Sequence, residues 1–477
     1  MRERDKLMKR NEIVICFLTI VLLAVPPCAV EAGAADQGRS IGLEESVRTA
    51  LMRNHDYRIA LQNMKAAKEK VSTAWGQLMP ALESEASMLR QGAENGFMSL
   101  SDGQYDIKVV QLRFGINPGA FYNSLMYSRK SYIAAKEELK RIKSEIEYRV
   151  ITSYFDYILA REIVTMRKES MDLYRQNLRD VKNLFRTGTV PKFELLQAQV
   201  QFKSREPELL AAENNMRTAL DVFNYHLGYD ASHHRPDHLV LKKKFLVPNS
   251  DAEGTVPRLR EVAMKNRPEL VQVNMKREIA AHGRNVKASL YLWPTFTMSG
   301  YYGKTKLMPN PVDVRIPMGA QTINPDFSGI TGTDQWQDTW QVRVAATYRW
   351  GSLFPADPAK SEEREQNTRV REAEEELLRL KRLITISIRS SYSKLLTAYM
   401  TIQSQKDNVL TAEEGLRIAK ESYRAGVIKN SDLISSEYSL TSARTSYIHA
   451  VHSYYAALAE LKRETGVDNT TIILRGE

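Results

Sequence analysis

Cysteine is almost absent from this 477-residue sequence, which contains only Cys16 and Cys28. Both lie in a segment with the pattern of a secretory signal: a basic start, an apolar stretch and small residues suited to cleavage. If residues 1–34 are removed, the mature chain has no thiol and no disulfide, so its stability depends on packing and assembly. A lipid anchor on Cys28 is the alternative, although the residues before it lack the small side chains of a lipidation site.

Long apolar runs are also missing, because no run of about 18 apolar residues, the length of a membrane-spanning helix, occurs beyond the N-terminus. Glycine (23) and proline (17) are sparse, while charged residues make up 26% of the chain. This profile is typical of long helices. No Ser/His/Asp order, phosphate-binding glycine loop or carboxylate pair stands out, so neither an enzyme nor a cofactor is predicted.

The net charge of +11 raises the hypothesis of a nucleic-acid partner. The basic residues alternate with acidic ones, however, as between Arg364 and Glu376, and a secretory signal separates the chain from nucleic acid. We therefore interpret the charge as solvated helix faces and predict no nucleic-acid partner. No metal site is predicted either, because the clustered histidines have no cysteine and no regular ligand spacing. These are His226, His233, His234 and His238.

One pattern occurs twice along the chain. The cognate segments, in the same order, are Arg53-Asn-His-Asp and Lys265-Asn-Arg-Pro, Leu78-Met-Pro and Leu292-Trp-Pro, Phe185-Arg-Thr-Gly and Tyr423-Arg-Ala-Gly. We therefore predict a duplicated helix–hairpin–helix unit, since ordered self-similarity is the signature of a repeated structure. The predicted boundaries are a first repeat at 35–227, a linker at 228–255, a second repeat at 256–466 and a tail at 467–477.

Each repeat is predicted to contain a short helix, a β-hairpin, a long helix, a turn and a second short helix. The first short helix, hairpin and long helix are predicted at 43–79, about 81–116 and about 120–185, and again at 256–293, about 294–350 and 358–423. The turns contain Gly188 and Gly426, which suit a left-handed backbone. A long helix of about 66 residues spans roughly 100 Å, which two short helices stacked end to end would match.

The strand predicted at Trp336–Trp350 is two-sided, because successive side chains point to opposite faces of a strand. One side has Trp340, Val342, Val344 and Tyr348, and the other has Arg343 and Arg349. Aromatic residues at both ends of an aliphatic centre are typical of outer-membrane barrel strands, so the first set is predicted to face lipid and the arginines the pore. A half-buried strand of a soluble sheet is the alternative interpretation.

Two hairpins give only four strands per chain, and four strands cannot close a barrel in a membrane. Open strand edges are not tolerated in lipid, because their backbone groups would have no hydrogen-bond partners. A membrane barrel built from this chain must therefore be shared among several copies.

With its ordered duplication and two hairpins, the chain resembles the TolC-type outer-membrane efflux proteins over essentially its whole mature length. The resemblance also rests on the segment Leu43-Glu-Glu-Ser-Val-Arg-Thr-Ala-Leu-Met-Arg-Asn and on the paired glycine turns. It implies a mostly α homotrimer whose long antiparallel, coiled-coil-like helices form a periplasmic α-barrel. It also implies that four strands per protomer form a transmembrane β part, a shared 12-stranded barrel.

The same resemblance implies a location in the outer membrane of a Gram-negative cell, in contact with its lipid, with the helical body in the periplasm. The implied function is a channel-tunnel of a tripartite efflux or type I secretion system, a passive exit duct for small toxic molecules or exported protein. Its implied partners are an inner-membrane transporter and a periplasmic adaptor protein. The alternative is that the chain is itself a coiled-coil adaptor, which would share the long helices but would not need alternating aromatic strands.

The resemblance further implies that both glycine turns lie at the periplasmic tip. There Asp432 faces a constricted entrance, Glu194 is its counterpart, and Tyr423 takes part in the contacts that keep the entrance shut. Ile428 and Ser435 depart from the family archetype, which has a basic and a second acidic residue at these positions. For Asp432 and Glu194 the simpler interpretation is a carboxylate stabilised by the dipole at a helix N-terminus.

Overall fold

The computed structural model of the chain describes residues 39–90, 101–230, 234–237, 245, 247–248, 252–309, 316–318, 321–323, 335–350 and 358–467. The predicted signal peptide with Cys28, nearly all of the predicted tail, and parts of the linker and of the second hairpin lie outside these residues. The described chain is mostly helical, with one four-stranded sheet and two short strand pairs. None of its described helices combines the length and the hydropathy needed to cross a bilayer.

Two of the described helices are far longer than the others. The helices are α1 (Leu43–Arg53), α2 (His55–Gly76), α3 (Pro118–Arg186), α4 (Lys192–Leu227), α5 (Ala252–Asn266), α6 (Pro268–Leu292), α7 (Pro358–Arg424) and α8 (Asn430–Thr465). With 69 and 67 residues, α3 and α7 are each about 100 Å long at 1.5 Å per residue. They therefore set the length of the molecule.

The prediction of one continuous helix at 43–79 is wrong, because the chain breaks at Asn54 into α1 and α2. The Asn54 side-chain oxygen accepts a hydrogen bond from the backbone N–H of Asp56 at 2.9 Å, which caps the start of α2. Its side-chain nitrogen donates to the backbone carbonyl of His226 at 2.9 Å, which ties the break to the end of α4. Because Asn54 both caps α2 and is anchored to α4, the helix breaks here even though the apolar spacing of the sequence continues across this position.

The helix predicted at 256–293 is broken in the same way, between Asn266 and Pro268. Proline has no N–H for an interior helical bond, but it is favoured at the first position of a new helix. Arg267 precedes it with extended backbone and forms the N-cap of α6. Both halves of the chain therefore start with two helices where periodicity alone predicts one.

The helices pack into a layer in which α3 and α7 run the full length and the others stack end to end beside them. In the half of the layer near the sheet, neighbouring helices follow the order α2, α3, α6, α7. In the other half the order is α4, α3, α8, α7. The short helices α1 and α5 pack on α3 and α7 where the two halves meet, and we call this level the waist.

The largest apolar clusters lie at the waist, one from each half of the chain. The first contains Ile146, Val150, Tyr154, Phe155 and Ile158 of α3 with Phe223 and Leu227 of α4. The second contains Ile384, Ile388, Tyr392 and Leu395 of α7 with Leu259 of α5 and Tyr454 and Leu461 of α8. The rings of Phe155 and Tyr455 stack with their centroids 4.1 Å apart. This contact joins the two clusters, so the waist is the main packed core of the described chain.

All four long strands belong to one antiparallel sheet with the order β2, β3, β5, β8. The described strands are β1 (Arg39–Ile41), β2 (Ala81–Arg90), β3 (Ser101–Ile116), β4 (His234–Pro236), β5 (Thr295–Pro309), β6 (Ile316–Met318), β7 (Gln321–Ile323) and β8 (Gln337–Thr347). β1 pairs with β4 and β6 with β7. Strands β2 and β8 are the edges of the large sheet.

Asn117 joins the sheet to the helical layer. Its side-chain oxygen accepts from the N–H of Ala120 at 3.0 Å, so it caps α3 directly after β3 ends. Its side-chain nitrogen donates to the carbonyls of Ser289 and Trp293, each at 3.0 Å, at the end of α6. The start of α3, which follows the first hairpin, is thus fixed to the segment that leads from α6 into the second hairpin.

Candidate functional site

One face of the large sheet is apolar across all four strands. Paired residues point to the same side, so the register assigns each side chain to a face. The apolar face contains Leu82, Ala86 and Met88 of β2, Ile107, Val110, Leu112, Phe114 and Ile116 of β3, Phe296, Met298 and Tyr302 of β5, and Trp340, Val342 and Val344 of β8. In the single chain Trp340 is 74% and Val344 75% exposed, so this face lacks an apolar cover.

The opposite face is polar. It contains Glu83 and Glu85 of β2, Asp106, Lys108, Gln111 and Arg113 of β3, Ser299, Tyr301 and Thr305 of β5, and Thr339, Gln341 and Arg343 of β8. Lys108 lies 2.9 Å from Glu85, and Arg113 lies 3.7 Å from Glu83. The sheet is therefore amphipathic over its whole width.

An irregularity in β3 keeps the two faces separate. The pairing of β3 with β5 shifts between Lys108 and Val110, which leaves Val109 as an extra residue. The apolar side chains consequently fall at even positions beyond this bulge and at odd positions before it. Simple alternation along the sequence does not show the switch, because the register comes from a strand far along the chain.

The predicted residues of the last strand are divided between its two faces. Trp340, Val342 and Val344 lie on the apolar face, and Arg343 lies on the polar face. The strand predicted to continue to Trp350 ends at Thr347, so Tyr348 and Arg349 lie beyond it. The reason is that Thr347 pairs with Thr295, the first residue of β5, and no earlier residue remains to pair.

The glycine turns lie at the end of the helical layer opposite the sheet, because α3 and α7 both start beside the sheet and run about 100 Å from it. Gly188 and Gly426 have φ values of 77° and 71°, in the left-handed region. In both turns the residue after glycine donates its N–H to the carbonyl five residues earlier, at 2.9 Å. The two turns thus share one geometry.

The acidic residues after the turns differ in what they bind. Asp432 accepts a hydrogen bond from the backbone N–H of Lys429 at 3.2 Å, which is the acidic half of a capping box. Glu194 has the same place in α4, but the residue at its N-cap is Pro191, which has no N–H to donate. Asp432 is exposed and Glu194 partly buried. The dipole and capping interpretation therefore applies more fully to Asp432.

Tyr423, at the start of the second turn, lies close enough to two carboxylates of the first half of the chain for their charges to affect its pKa. Partial burial raises the pKa of its hydroxyl, and the negative charges of Glu194 and Asp180 raise this pKa further. The side chain that opens the second turn therefore lies near the acidic residue that follows the first turn. These residues belong to opposite halves of the sequence.

Sequence reasoning missed one acidic residue near this end. Glu437 of α8 is 6% exposed, and its Oε2 atom has no hydrogen-bond partner within the described chain. Burial raises the pKa of its carboxyl, against the opposing effect of the Lys420 charge. The signal was available, because Glu437 lies between Leu433 and Leu440 on the buried side of α8. No group of metal-binding side chains was found in the described ranges.

The chain belongs to the outer membrane efflux protein family, whose model matches residues 47–222 and 259–467. It is 23% identical over 443 residues to the alkaline protease secretion protein AprF of Pseudomonas aeruginosa, covering 90% of this chain and 85% of AprF. Over 38% of the chain and 39% of the relative, it is 24% identical to the probable outer membrane lipoprotein SilC of Salmonella typhimurium.

Solved structures share the fold. The CmeC outer membrane channel of Campylobacter jejuni matches with a TM-score of 0.71 and 17% identity, covering 89% of this chain and 85% of CmeC. The MtrE outer membrane channel of Neisseria gonorrhoeae matches with a TM-score of 0.67 and 16% identity, covering 89% of each chain. At these identities the comparison establishes the architecture alone.

Family membership confirms the resemblance to TolC-type proteins. The chain is an outer-membrane channel protein for efflux or type I secretion, with its helical body in the periplasm. The adaptor alternative receives no support. Members of the family work with an adaptor and an inner-membrane transporter, and they are channels rather than enzymes.

Proposed function

We propose that three copies of the chain form one channel-tunnel, with a shared 12-stranded barrel in the outer membrane and a helical cylinder in the periplasm. Small toxic molecules or exported protein would leave through it passively, delivered by an inner-membrane transporter and an adaptor that meet the tip. The observation that carries this proposal is the amphipathic sheet with one uncovered apolar face.

The sheet edges support sharing. Within the described residues, β2 and β8 each pair on one side only. Lipid would leave these edges without hydrogen-bond partners, whereas β2 of one copy can pair with β8 of the next. Two copies would give about eight strands, and the interior of such a barrel is narrow enough to be filled by side chains. Three copies would leave an open lumen.

The apolar face has dimensions suited to lipid. Tyr302 lies six positions after Phe296 in β5, which corresponds to about 20 Å along the strand. Tyr302 pairs with Trp340 at one end of this band, and the charged pair of Lys304 and Asp338, at 3.7 Å, lies just beyond it. An apolar band limited by aromatic residues favours lipid contact over a soluble sheet.

The edges of the helical layer support the same assembly. Both edge helices expose large apolar side chains in the single chain. These are Phe193, Val200 and Leu210 of α4 and Ile386, Met400 and Leu410 of α7. Packing α7 of one copy against α4 of the next would cover both sets, as α8 packs against α3 inside one chain.

The finer assignments form part of the same proposal. The mature chain begins after residues 1–34 and contains duplicated units at 35–227 and 256–466. Asp432, Glu194 and Tyr423 line and close the entrance at the turns of Gly188 and Gly426. The similar geometry of the two turns and their distance from the sheet support this arrangement.

The test is extraction of the full chain from outer membranes with detergent, followed by native mass spectrometry and planar-bilayer recording. We expect a mass three times that of the processed chain and stepwise conductance. A monomeric, water-soluble protein that forms no channel would contradict the proposal. A trimer without conductance would contradict the role as an exit duct but would agree with the proposed trimeric assembly.

A further inference from the structure

We propose that Arg113, Ser299 and Arg343 form a rung of the sheet that draws anions into the barrel lumen, so that anionic solutes are favoured over cations at this level. This inference deepens the proposed channel function and rests on it. We call these three residues the arginine rung.

The register places the three residues side by side. Ser299 of β5 pairs with Arg113 of β3 on one side and with Arg343 of β8 on the other. Neighbouring strands lie about 4.8 Å apart, so the two arginine Cα atoms are separated by roughly 10 Å. All three side chains belong to the polar face, with a small hydroxyl between two guanidinium groups.

Arg113 is held in place by a buried side chain. Gln111 is 7% exposed, and with its amide oxygen turned toward the guanidinium it accepts from Nε of Arg113 at 2.8 Å and from Nη2 at 2.9 Å. Glu83 lies 3.7 Å from the same guanidinium. The first arginine of the rung is therefore oriented rather than free to fold back.

Arg343 has no ion-pair partner among the described residues, because other groups hold the carboxylates of the polar face. Arg113 pairs with Glu83 and Lys108 with Glu85. Asp106 accepts hydrogen bonds from Gln104 at 2.8 Å and from Thr305 at 2.6 Å. Each copy thus adds two guanidinium groups and one carboxylate to the rung, which leaves a net positive charge.

A ring of like charges acts on ions in a pore through its field, which salt screens. The Debye length is about 8 Å at 0.15 M salt, but roughly 30 Å at 0.01 M. The rung should therefore influence ions across the lumen at low salt and only ions near the wall at high salt. The salt dependence distinguishes this ring from a steric filter.

The experiment measures reversal potentials in planar bilayers under a KCl gradient at low salt. Arg343→Gln is expected to lower the chloride-to-potassium permeability ratio by about two-fold or more, while Arg343→Lys keeps it. Lys304→Gln is the matched control, because it removes the same charge from the apolar side of the sheet. It should leave the ratio unchanged.

A second variant guards against a failure of Arg343→Gln to assemble. Ser299→Asp keeps both arginines, adds a carboxylate between them, and is expected to lower the ratio in the same direction. The inference would be overturned if Arg343→Gln or Ser299→Asp channels conduct and have the same chloride-to-potassium permeability ratio as Lys304→Gln channels. An absence of conductance from the wild type would instead overturn the proposed channel.

Discussion

At the waist, each half of the chain packs the end of one helix against the break between two others. We call this contact the junction of that half, and the two junctions differ in chemistry. In the first half Gly228 ends α4 with φ +87°, packed against the backbone of Arg53, and the neutral side chain of Asn54 reaches the carbonyl of His226. No charge is buried in this contact. Its strength depends on hydrogen bonds and close backbone packing.

In the second half Gly466 ends α8 with φ +67° against the backbone of Asn266. Arg267 is the N-cap residue of α6, as Asn54 is of α2, and it forms an ion pair with Glu464. Both side chains are only 9% exposed. One backbone geometry therefore tolerates either an amide or a buried charge pair, but the charge pair makes its half far more sensitive to loss of one partner.

The largest expected difference follows from breaking this pair. Glu464→Ala leaves the Arg267 charge buried and uncompensated, at a cost of about 3–5 kcal/mol in the free energy of unfolding. Asn54→Ala removes a cap and should cost about 1 kcal/mol. Thermal unfolding of the detergent-extracted protein measures both. The double variant Arg267→Met/Glu464→Leu should lose less than Glu464→Ala, and equal losses for the two single variants would contradict the comparison.

The same pair makes the second junction sensitive to pH. Burial acts to raise the pKa of Glu464, but the Arg267 charge and hydrogen bonds from Ser387 and Arg463 outweigh it and hold the pKa below its usual 4.5. A lowered folded-state pKa gives stability that is present above pH 4.5 and lost as the pH falls through the folded value. Unfolding of Glu464→Gln should depend less on acid pH than unfolding of the wild type.

The two hairpins, in contrast, should respond alike. Leu112→Arg in the first hairpin and Val344→Arg in the second each place a charge on the apolar face. If that face meets mid-bilayer lipid, each variant should be destabilised by about 2–4 kcal/mol. Thr339→Arg on the polar face is the control. The yield of heat-resistant assembly in outer membranes reports the effect. Normal assembly of both apolar-face variants, with loss in the control, would reverse the choice of lipid face.

The glycines at the waist should differ by a smaller amount. A Cβ in the left-handed region costs about 1–2 kcal/mol at either position. At Gly228 it would also lie 2.8 Å from the carbonyl carbon of Arg53, whereas at Gly466 the nearest atom, of Asn266, is 3.2 Å away. Gly228→Ala should therefore lower the unfolding temperature more than Gly466→Ala, and the reverse order would show that the second junction is the tighter one.

The smallest effects are expected at the tip. Asp432→Ala loses the bond to the Lys429 N–H, worth about 1 kcal/mol, while Asp432→Asn retains an acceptor there. Glu194→Ala has no such bond to lose, because Pro191 precedes it. If Asp432 lines the entrance, both of its variants should weaken block of the channel by multivalent cations in planar bilayers. Unchanged block in Asp432→Asn would leave only the capping role.

The sequence was sufficient for features decided by local chemistry. The turns at Gly188 and Gly426 need no distant partner, since local backbone geometry alone fixes them. The break at Asn54 was missed because apolar spacing continues across it and its anchor is the distant carbonyl of His226. Arg113 was missed for the same reason, because its place in the arginine rung depends on its pairing with Ser299 of the distant strand β5.

The unbroken course of α3 makes it a long lever. About 50 Å of helix separates Tyr154, in the waist core, from Gly188 at the turn. A tilt of about one degree at the waist moves the turn by roughly 0.9 Å along its arc. A rotation of a few degrees would therefore carry Glu194 away from Tyr423 without melting any helix. Small repacking around the stacked rings of Phe155 and Tyr455 would thus be amplified into an ångström-scale displacement of the turn.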